Sequence, residues 1–371
     1  MVNFFFYGTL CHLPLLAVVL GRQVAGEPAV LPGHAVHWAD GHVFPLIVVA
    51  PGGQAAGLLV RGLTPDDVAR LDFYEGGFAF HTADLAVQAA GQDVPARVYL
   101  PDPGHWQPGA AWSLTDWQAR WGDIVLATAR DFMALHGQRP PAAVLARYEQ
   151  MLVRGSSRVR AADVSPATLR HRAGPDDVQV AAYRQAYANF FAVEEYDLAF
   201  RRFGGGFSPV VTRAVFVSGD AVTVLPYDPV RDRVLLVEQF RPGAMARGDT
   251  QPWVLEPIAG RIDPGETPEQ AARREAVEEA GLTLGALLPV ANYYPSPGGK
   301  SEFLYSYVAL ADLPDGITGV FGVAGEAEDI RGHLVDFADL VALIASGEAA
   351  NAPLILTALW LQRERERLRA G

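Results

Sequence analysis

The chain has 371 residues, of which 50% are hydrophobic and 19% charged, with a formal net charge of −12 at pH 7. This length exceeds the usual size of one domain and supplies enough apolar residues for two cores, so we expect two folded domains. The excess of acidic residues argues against nucleic acid as a principal partner. No apolar run reaches the roughly 18 residues that a membrane span needs, and a single cysteine cannot form an internal disulfide.

The first predicted elements are a strand, a tight turn and a helix. Residues 2–6 form a short aromatic run typical of a buried strand, and Gly8 interrupts it. An apolar stretch over residues 13–20 then ends at Gly21, as a short helix would. A glycine turn between strand and helix exposes backbone N–H groups that can bind a carboxylate or a phosphate, so this turn is a candidate ligand site.

Two short motifs in this region resemble a known family. YGTL over residues 7–10 resembles the YGSL loop of the γ-glutamylcyclotransferase-like family, and LDFYEG over residues 71–76 resembles its LDxxEG segment. The resemblance implies a small β-barrel with helices, in which the loop holds a substrate carboxylate and Glu75 shuttles a proton as a γ-glutamyl amine closes to 5-oxoproline. The implied loop residues are Tyr7, Gly8, Thr9 and Leu10. Because Thr9 replaces the serine of the family, the substrate could differ. A docking or dimerisation module and a binding domain that senses a small acid are the alternatives to catalysis.

A middle section rich in Trp and Ala follows. Its apolar spacing predicts helices over residues 115–136 and 141–153 that complete the first domain. Residues 154–177 are polar, basic and interrupted by Gly, Ser and Pro, which is typical of a linker. We therefore expect a first domain over residues 1–153, a linker, and a second domain over residues 178–371.

The most informative segment reads GRIDPGETPEQAARREAVEEAGL over residues 260–282. It contains an N-cap threonine, a proline of the first helical turn, a capping-box glutamine and a terminal glycine suited to the left-handed conformation, at Thr267, Pro268, Gln270 and Gly281. These signals predict a helix over residues 268–280.

Three glutamates of this helix fall on one patch, because residues three and four apart are neighbours on a helix surface. Glu275, Glu278 and Glu279 would repel one another unless a cation lies between them. A cluster of hard oxygen ligands suits Mg²⁺, with Mn²⁺ as the alternative, and the glycine turn before the helix brings backbone carbonyls near Ala259 towards the same ion. The other interpretation is a solvated acidic helix face.

The same segment is identified as a Nudix box, the motif of a family that hydrolyses a nucleoside diphosphate linked to another moiety. The resemblance implies an α/β/α sandwich around a mixed sheet. It also implies that Glu275 and Glu279 are the principal metal ligands and that Glu278 assists them. The backbone carbonyl of Ala259 completes the implied site. Glu266 and Arg274 resemble the residues that brace the loop against the helix.

Segments outside the box resemble the ADP-ribose pyrophosphatase branch of that family. They read FGGGFSPVVTR, AVTVLPYDPVRDRVLLVEQFR, WVLEPIAG, SPGG and GEAEDI, over residues 203–213, 221–241, 253–260, 296–299 and 325–330. The resemblance implies that Glu326 activates the attacking water, with Glu328 as second candidate. It further implies that Arg213 and Arg241 hold the diphosphate and terminal ribose, and that an aromatic residue stacks on adenine. Phe190 and Phe191 are the candidates for that residue, and burial in a core or a subunit interface is the alternative for both.

These expectations combine into Mg²⁺-dependent hydrolysis of ADP-ribose to AMP and ribose 5-phosphate. The alternatives are another dinucleotide or nucleotide sugar as substrate, and a ligand-sensing regulator. The resemblance also implies a homodimer formed through residues 180–225, and fusions of these two domains resemble proteins associated with tellurite resistance. The lone Cys11 and the absence of a positively charged leading region favour a cytoplasmic protein.

Overall fold

The computed structural model describes residues 1–163, 166–323, 325 and 327–370. Its contacts divide the chain into two compact units, Met1–Thr168 and Leu169–Gly371. The division falls inside the predicted linker, and the predicted domain limits stay a proposal. Within the described ranges, every helix is too short or too polar to cross a membrane.

The first unit contains a closed five-stranded barrel. The strands of this unit are β1 (Val2–Phe6), β2 (Glu27–Ala39), β3 (Pro45–Leu63), β4 (Phe80–Ala89), β5 (Gln92–Pro101) and β6 (Pro108–Ala111), of which the first five form the barrel. The order β3-β1-β5-β4-β2 closes because β3 also pairs with β2, and β6 extends the sheet from β2. The predicted small barrel is confirmed.

Helices cover one side of this barrel, at α1 (Leu13–Leu20), α2 (Pro65–Glu75), α3 (Leu114–Trp117), α4 (Asp123–Met133), α5 (Pro141–Leu145) and α6 (Tyr148–Ala161). Strand β1 is buried on both faces because successive side chains of a strand point in opposite directions. Phe4 and Phe6 belong to the core beneath the helices, whereas Phe5 belongs to the core inside the barrel. The predicted strand, turn and helix at the start of the chain are confirmed.

The two later helices differ from their predictions. A π-helical segment, Gln118–Gly122, separates α3 from α4 in the first predicted helix. The second is broken at Arg147, whose φ of −120° and ψ of 13° are not helical. Helix α6 then continues eight residues into the predicted linker, to Ala161, because Arg154 and Ser156 are buried rather than solvated.

The second unit contains two sheets. Strands β7 (Val178–Ala188), β8 (Ala192–Phe200) and β9 (Val211–Val217) form an antiparallel three-stranded sheet. The larger sheet has the order β14-β15-β10-β11-β17-β16, with β12 beside β11 and β13 beside β10. Its strands are β10 (Ala221–Asp228), β11 (Arg233–Phe240), β12 (Trp253–Glu256), β13 (Ile258–Arg261), β14 (Leu287–Tyr293), β15 (Leu304–Leu310), β16 (Val320–Phe321) and β17 (Ile330–Asp336). The β10 and β15 pair is parallel, so the sheet is mixed.

Helices cover both faces of the larger sheet. They are α8 (Pro268–Ala280), α9 (Phe337–Ser346) and α10 (Ala352–Arg369), and the short helix α7 (Pro242–Arg247), which has no buried residue, follows β11. The alanines of α8 pack with Val222, Val224 and Val237 on one face, and Leu340, Leu354 and Leu361 of α9 and α10 pack on the other. The predicted α/β/α sandwich is confirmed.

Candidate functional site

Helix α8 begins and ends where its sequence predicts. The Thr267 hydroxyl accepts a hydrogen bond from the Gln270 N–H at 3.2 Å, and the Thr267 N–H donates to Gln270 Oε1 at 2.9 Å. Gly281 ends the helix with a φ of 61°, in the left-handed region that favours glycine. These two ends determine which side chains face the sheet.

Glu275 and Glu279 form the buried part of the acidic face of α8. The Glu279 residue is 2% exposed, and its Oε2 accepts a hydrogen bond from the Ala259 N–H at 3.1 Å. Glu275 packs against Gly260, where a Cβ atom would overlap its carboxylate. Strand β13 and helix α8 therefore hold the two carboxylates against the same stretch of backbone.

Burial dominates the protonation of both carboxylates. It raises the pKa of Glu275 to about 7 and the pKa of Glu279 to about 8, and the neighbouring charge of Glu328 adds to both shifts. The nearby positive charges do not offset this desolvation, so a bound cation would stabilise the ionised carboxylates.

Arg274 supplies part of that positive charge. Its Nη1 donates to Glu275 Oε1 at 2.7 Å and to Glu278 Oε2 at 2.9 Å, and its Nε donates to Glu266 Oε1 at 3.0 Å. The sequence predicts a cation between the three glutamates, and the Arg274 guanidinium is such a cation for Glu275 and Glu278. Arg274 and Glu266 also link the loop to the helix.

The donor atoms around Glu279 fit a hard divalent cation. Carboxylates of Glu275 and Glu279 and the carbonyl of Ala259 are oxygen ligands of the kind that Mg²⁺ and Mn²⁺ prefer. In the part of the chain that the structure describes, no group of three or more His, Cys, Asp or Glu side chains is already arranged around one metal position. Glu278 is engaged by Arg274, and Glu326 lies outside the described residues.

Glu328 lies beside the cluster, as its effect on the pKa values of Glu275 and Glu279 indicates. Its Oε2 accepts a hydrogen bond from the Val323 N–H at 3.1 Å, which anchors the side chain within its own loop. Of the two candidate bases, Glu328 is thus the one whose surroundings are described, and the role of each stays a prediction.

The two predicted substrate arginines differ in their surroundings. Arg241 follows β11, and its charge lowers the pKa of Glu279, so it is near the cluster. Its Nε donates to Glu256 Oε2 at 2.7 Å. Arg213 is exposed on β9, where its Nη1 donates to the Thr212 carbonyl at 2.9 Å, and no hydrogen bond or ion pair joins it to the cluster among the described residues.

Phe190 and Phe191 lie at the tip of the hairpin between β7 and β8 and are 47% and 38% exposed. Burial in the core of this chain, one of the predicted alternatives, is therefore wrong, because both side chains remain exposed. The Arg261 guanidinium carbon lies 3.8 Å from the ring centroid of Phe190, a cation–π contact. This contact joins the hairpin tip to the Nudix box, since Arg261 follows Gly260.

The first unit has its own cavity, of about 70 Å³. A cavity of this size holds several water molecules or a small ligand. The loop residues Tyr7, Gly8, Thr9 and Leu10 line it together with Glu75, and so do Phe44, Phe78, Tyr99 and Tyr148. The structure thus brings together the two motifs that the sequence places 60 residues apart.

Glu75, the last residue of α2, is half-buried at this cavity. Burial raises the pKa of its carboxyl group to about 7. Its charge in turn contributes to raising the pKa values of four tyrosines around it, Tyr7, Tyr74, Tyr99 and Tyr148. Among the described residues that line the cavity there is no Lys, Arg or His, so a basic side chain does not neutralise this carboxylate.

Several contacts of these sites were not predicted. Gln239 Nε2 lies 3.5 Å from Glu279 Oε1, Glu256 holds Arg241, and Arg261 covers Phe190. Each joins residues of different elements, and only the WVLEPIAG resemblance singled out the segment that contains Glu256. Four aromatic cavity residues, Phe44, Phe78, Tyr99 and Tyr148, lie outside the two motifs.

Two family models match the chain. One, described as NUDIX domain, matches residues 217–357, and the other, described as Gamma-glutamyl cyclotransferase, AIG2-like, matches residues 4–119.

Curated relatives match the second half of the chain. ADP-ribose pyrophosphatase of Escherichia coli (strain K12) is 39% identical over 206 residues, which cover 56% of this chain and 98% of the relative. ADP-ribose pyrophosphatase of Haemophilus influenzae is 35% identical over 188 residues, covering 50% of this chain and 86% of the relative. GDP-mannose pyrophosphatase of Salmonella paratyphi B is 31% identical over 150 residues, covering 40% of this chain and 77% of the relative. A crystal structure of an ADP compounds hydrolase matches with 24% identity and a TM-score of 0.40, covering 52% of this chain and 98% of that one.

Proposed function

We propose that this chain, which belongs to the Nudix hydrolase family, cleaves the diphosphate of ADP-ribose with water to give AMP and ribose 5-phosphate. The observation that carries the proposal is the pair of buried carboxylates, Glu275 and Glu279, held against Ala259 and Gly260. The similarity to ADP-ribose pyrophosphatases over 98% of the length of one relative supports the choice of substrate.

Nudix hydrolases generally depend on a divalent metal, and we propose Mg²⁺ here. Glu275, Glu279 and the Ala259 carbonyl would hold it, and Glu278 would assist once Arg274 releases it. When bound, such an ion neutralises diphosphate charge and acidifies a coordinated water. The protein contributes the carboxylates that become fully ionised at this position and excludes bulk water through their burial.

Proton transfer and substrate binding use residues around this pair. We assign the proton acceptor to Glu326, with Glu328 as the alternative, because a carboxylate is needed to accept the proton of the attacking water. Arg241 contacts the diphosphate or the terminal ribose, and Arg213 assists. The positive charge of Arg241, near Glu279, offsets the repulsion between an anionic substrate and a protein of net charge −12.

The adenine ring stacks on the hairpin tip in this proposal. Phe190 and Phe191 are exposed enough to receive a base, and the cation–π contact with Arg261 orients the ring of Phe190. A nucleotide sugar is the second candidate substrate, and the similarity to a GDP-mannose pyrophosphatase favours testing it.

A substrate panel tests this function. Purified protein with Mg²⁺ is incubated with ADP-ribose, GDP-mannose, diadenosine compounds and NADH, and products are separated by chromatography. We expect ADP-ribose to have the highest kcat/KM, with AMP as the nucleotide product. Preference for GDP-mannose or a dinucleotide would replace ADP-ribose as the substrate.

For the first unit we propose cyclotransferase chemistry with Glu75 as the proton shuttle. The loop amides would hold the substrate carboxylate, the amine of a γ-glutamyl group would attack its own γ-carbonyl, and Glu75 would carry the proton to the departing amine. The cavity that joins the two motifs supports this role. Release of 5-oxoproline from γ-glutamyl amines, lost in E75Q, is the expected result. No release across a panel of such amines would favour a scaffold or a sensor.

We further propose a cytoplasmic homodimer. The strands of the β7–β8 hairpin expose large apolar side chains, which an isolated chain rarely leaves uncovered: Val178, Val180, Tyr187 and Phe200. Light scattering should give twice the chain mass of 39.9 kDa, and V180D should lower it. A monomeric mass for the native protein would contradict the dimer. The association with tellurite resistance stays a prediction.

A further inference from the structure

A buried carboxylate holds Arg241 by two of its nitrogens. Arg241 Nε donates to Glu256 Oε2 at 2.7 Å, and Arg241 Nη2 lies 2.6 Å from the same oxygen. Glu256 lies on β12, directly opposite Val237 of β11, and is buried. Nη1 donates to no residue in the described part of the chain. The guanidinium group is thus fixed along one edge, and its other edge is available to a ligand.

The second oxygen of Glu256 has a distant partner. Asn351 Nδ2 donates to Glu256 Oε1 at 2.8 Å. Asn351 is also the N-cap of α10, where its Oδ1 accepts a hydrogen bond from the Leu354 N–H at 3.1 Å. Because the cap requires the oxygen of the amide, the nitrogen must point towards Glu256.

We propose that Asn351 and Glu256 are positioning residues that orient Arg241 for the diphosphate substrate, an inference that rests on the proposed function. An unrestrained arginine populates many rotamers, and fixing its fork before the substrate arrives lowers the entropy lost on binding. The contact between β12 and the first turn of α10 therefore contributes to substrate affinity although Asn351 itself does not touch the substrate.

The hydrogen-bond chain from Asn351 through Glu256 to Arg241 explains why residue 351 is an asparagine. Aspartate would preserve the cap acceptor but would place a second carboxylate beside Glu256, which would repel it. Serine would preserve the cap as well, but its hydroxyl is too short to replace the Asn351 contact with Glu256. Only an amide offers both an acceptor for the helix and a donor for the carboxylate at this length.

Kinetics of N351D, N351S and R241A with ADP-ribose test the proposal. A group that binds ground state and transition state alike changes KM and not kcat. Loss of one hydrogen bond to a charged group predicts a KM about tenfold higher in N351D and N351S, with kcat within about threefold of the native value. R241A should raise KM at least as much. Q362E adds the same charge at an exposed position of α10 and should leave KM unchanged.

A double variant separates positioning from general stability. In N351D/E256Q the introduced glutamine can accept from Arg241 and donate to the introduced carboxylate at position 351, so the hydrogen-bond chain is restored with its polarity reversed. We expect KM to return to within about threefold of the native value. A KM that stays as high as in N351D would overturn the proposal, and so would a native KM in N351D or in R241A.

A measurement without turnover distinguishes this proposal from the proposed function. The Nε–H signal of Arg241 in a nitrogen–proton NMR spectrum, assigned with R241K, should be protected from exchange in the native protein, lost in N351D and restored in the double variant. If the native protein does not hydrolyse ADP-ribose, the proposed function fails. The Arg241 Nε–H signal then tests the positioning role of Asn351 without turnover. That role is overturned if the signal is still protected in N351D.

Discussion

Gly260 is required for space rather than for backbone conformation. Its φ lies outside the left-handed region, but a Cβ atom at this position would overlap the Glu275 carboxylate. We predict that G260A displaces Glu275 and lowers kcat for ADP-ribose by about a hundredfold, the usual effect of displacing a reacting group by about 1 Å. G204A is the control, because a Cβ there meets nothing within 4 Å. Equal activity of the two variants would show that Glu275 tolerates displacement.

Glu75 makes the stability of the first unit depend on pH. Its pKa is about 7 in the folded chain and about 4.3 in an unfolded one, so the folded state binds its proton more tightly. Wild-type stability therefore falls as pH rises from about 4 to 7, and the full penalty of about 3 to 4 kcal/mol persists above pH 7.

The variant E75Q removes this titration. We predict that E75Q is more stable than the wild type at pH 8 and that the difference disappears below pH 4, as measured by thermal unfolding across that range. E149Q, which changes an exposed carboxylate, should show no such trend. A difference between E75Q and wild type that is independent of pH would contradict the burial of a titrating Glu75.

Residues of one helix were predictable from their spacing, and residues joined across elements were not. Glu275 and Glu279 share a face because helical geometry sets the positions of residues four apart. Arg241, Glu256 and Asn351 are 15 and 95 residues apart and meet only after β11, β12 and α10 have packed. Local periodicity carries no information about such a meeting.

At the scale of elements, the N-terminal cap of α8 contributes to the stability of the catalytic helix. T267A removes the hydroxyl that accepts from the Gln270 N–H. We predict a loss of about 1 kcal/mol in the free energy of unfolding of the second unit, measured by denaturant titration. T267S should restore most of it. If T267A were as stable as the wild type, the cap would not contribute to stability.

Helix boundaries were predictable where a local capping sequence sets them. The predictions failed where tertiary packing sets the boundary. The limits of α8 follow from its capping box and Gly281. The break before Tyr148 has no comparable signal, and there the ring of Tyr148 packs against Phe78 with centroids 5.4 Å apart. Residues 154–161 have the polar and basic composition of a linker, but they are helical, and Arg154 and Ser156 are buried by contacts that composition does not reveal.

At the scale of the whole molecule, the two units should be separable by protease. Arg170 and Arg172 are exposed between α6 and β7. We predict that brief trypsin treatment cleaves there first and gives two fragments of similar size that resist further digestion. Replacing both arginines by glutamine should delay the first cut. Initial cleavage elsewhere would contradict two compact units joined by an accessible segment.

The two folds were predictable from motifs, whereas the properties of their sites depend on packing. The Nudix box and the YGTL and LDFYEG segments predicted a sandwich and a barrel, and both are present. The motifs contain Arg274, Tyr7 and Tyr74, but they do not predict that Arg274 bridges Glu275 and Glu278, or that Phe44, Phe78, Tyr99 and Tyr148 complete the cavity beside Glu75.

The most direct test of the catalytic assignment compares the native protein with E279Q in Mg²⁺-dependent release of AMP from ADP-ribose, after unfolding curves show that both are folded. Glutamine preserves the shape of Glu279 and its contact with the Ala259 N–H but removes the charge that would hold the cation. We predict that kcat falls by about a thousandfold or more in E279Q. A rate within tenfold of the native value would contradict the assignment of this buried carboxylate to catalysis.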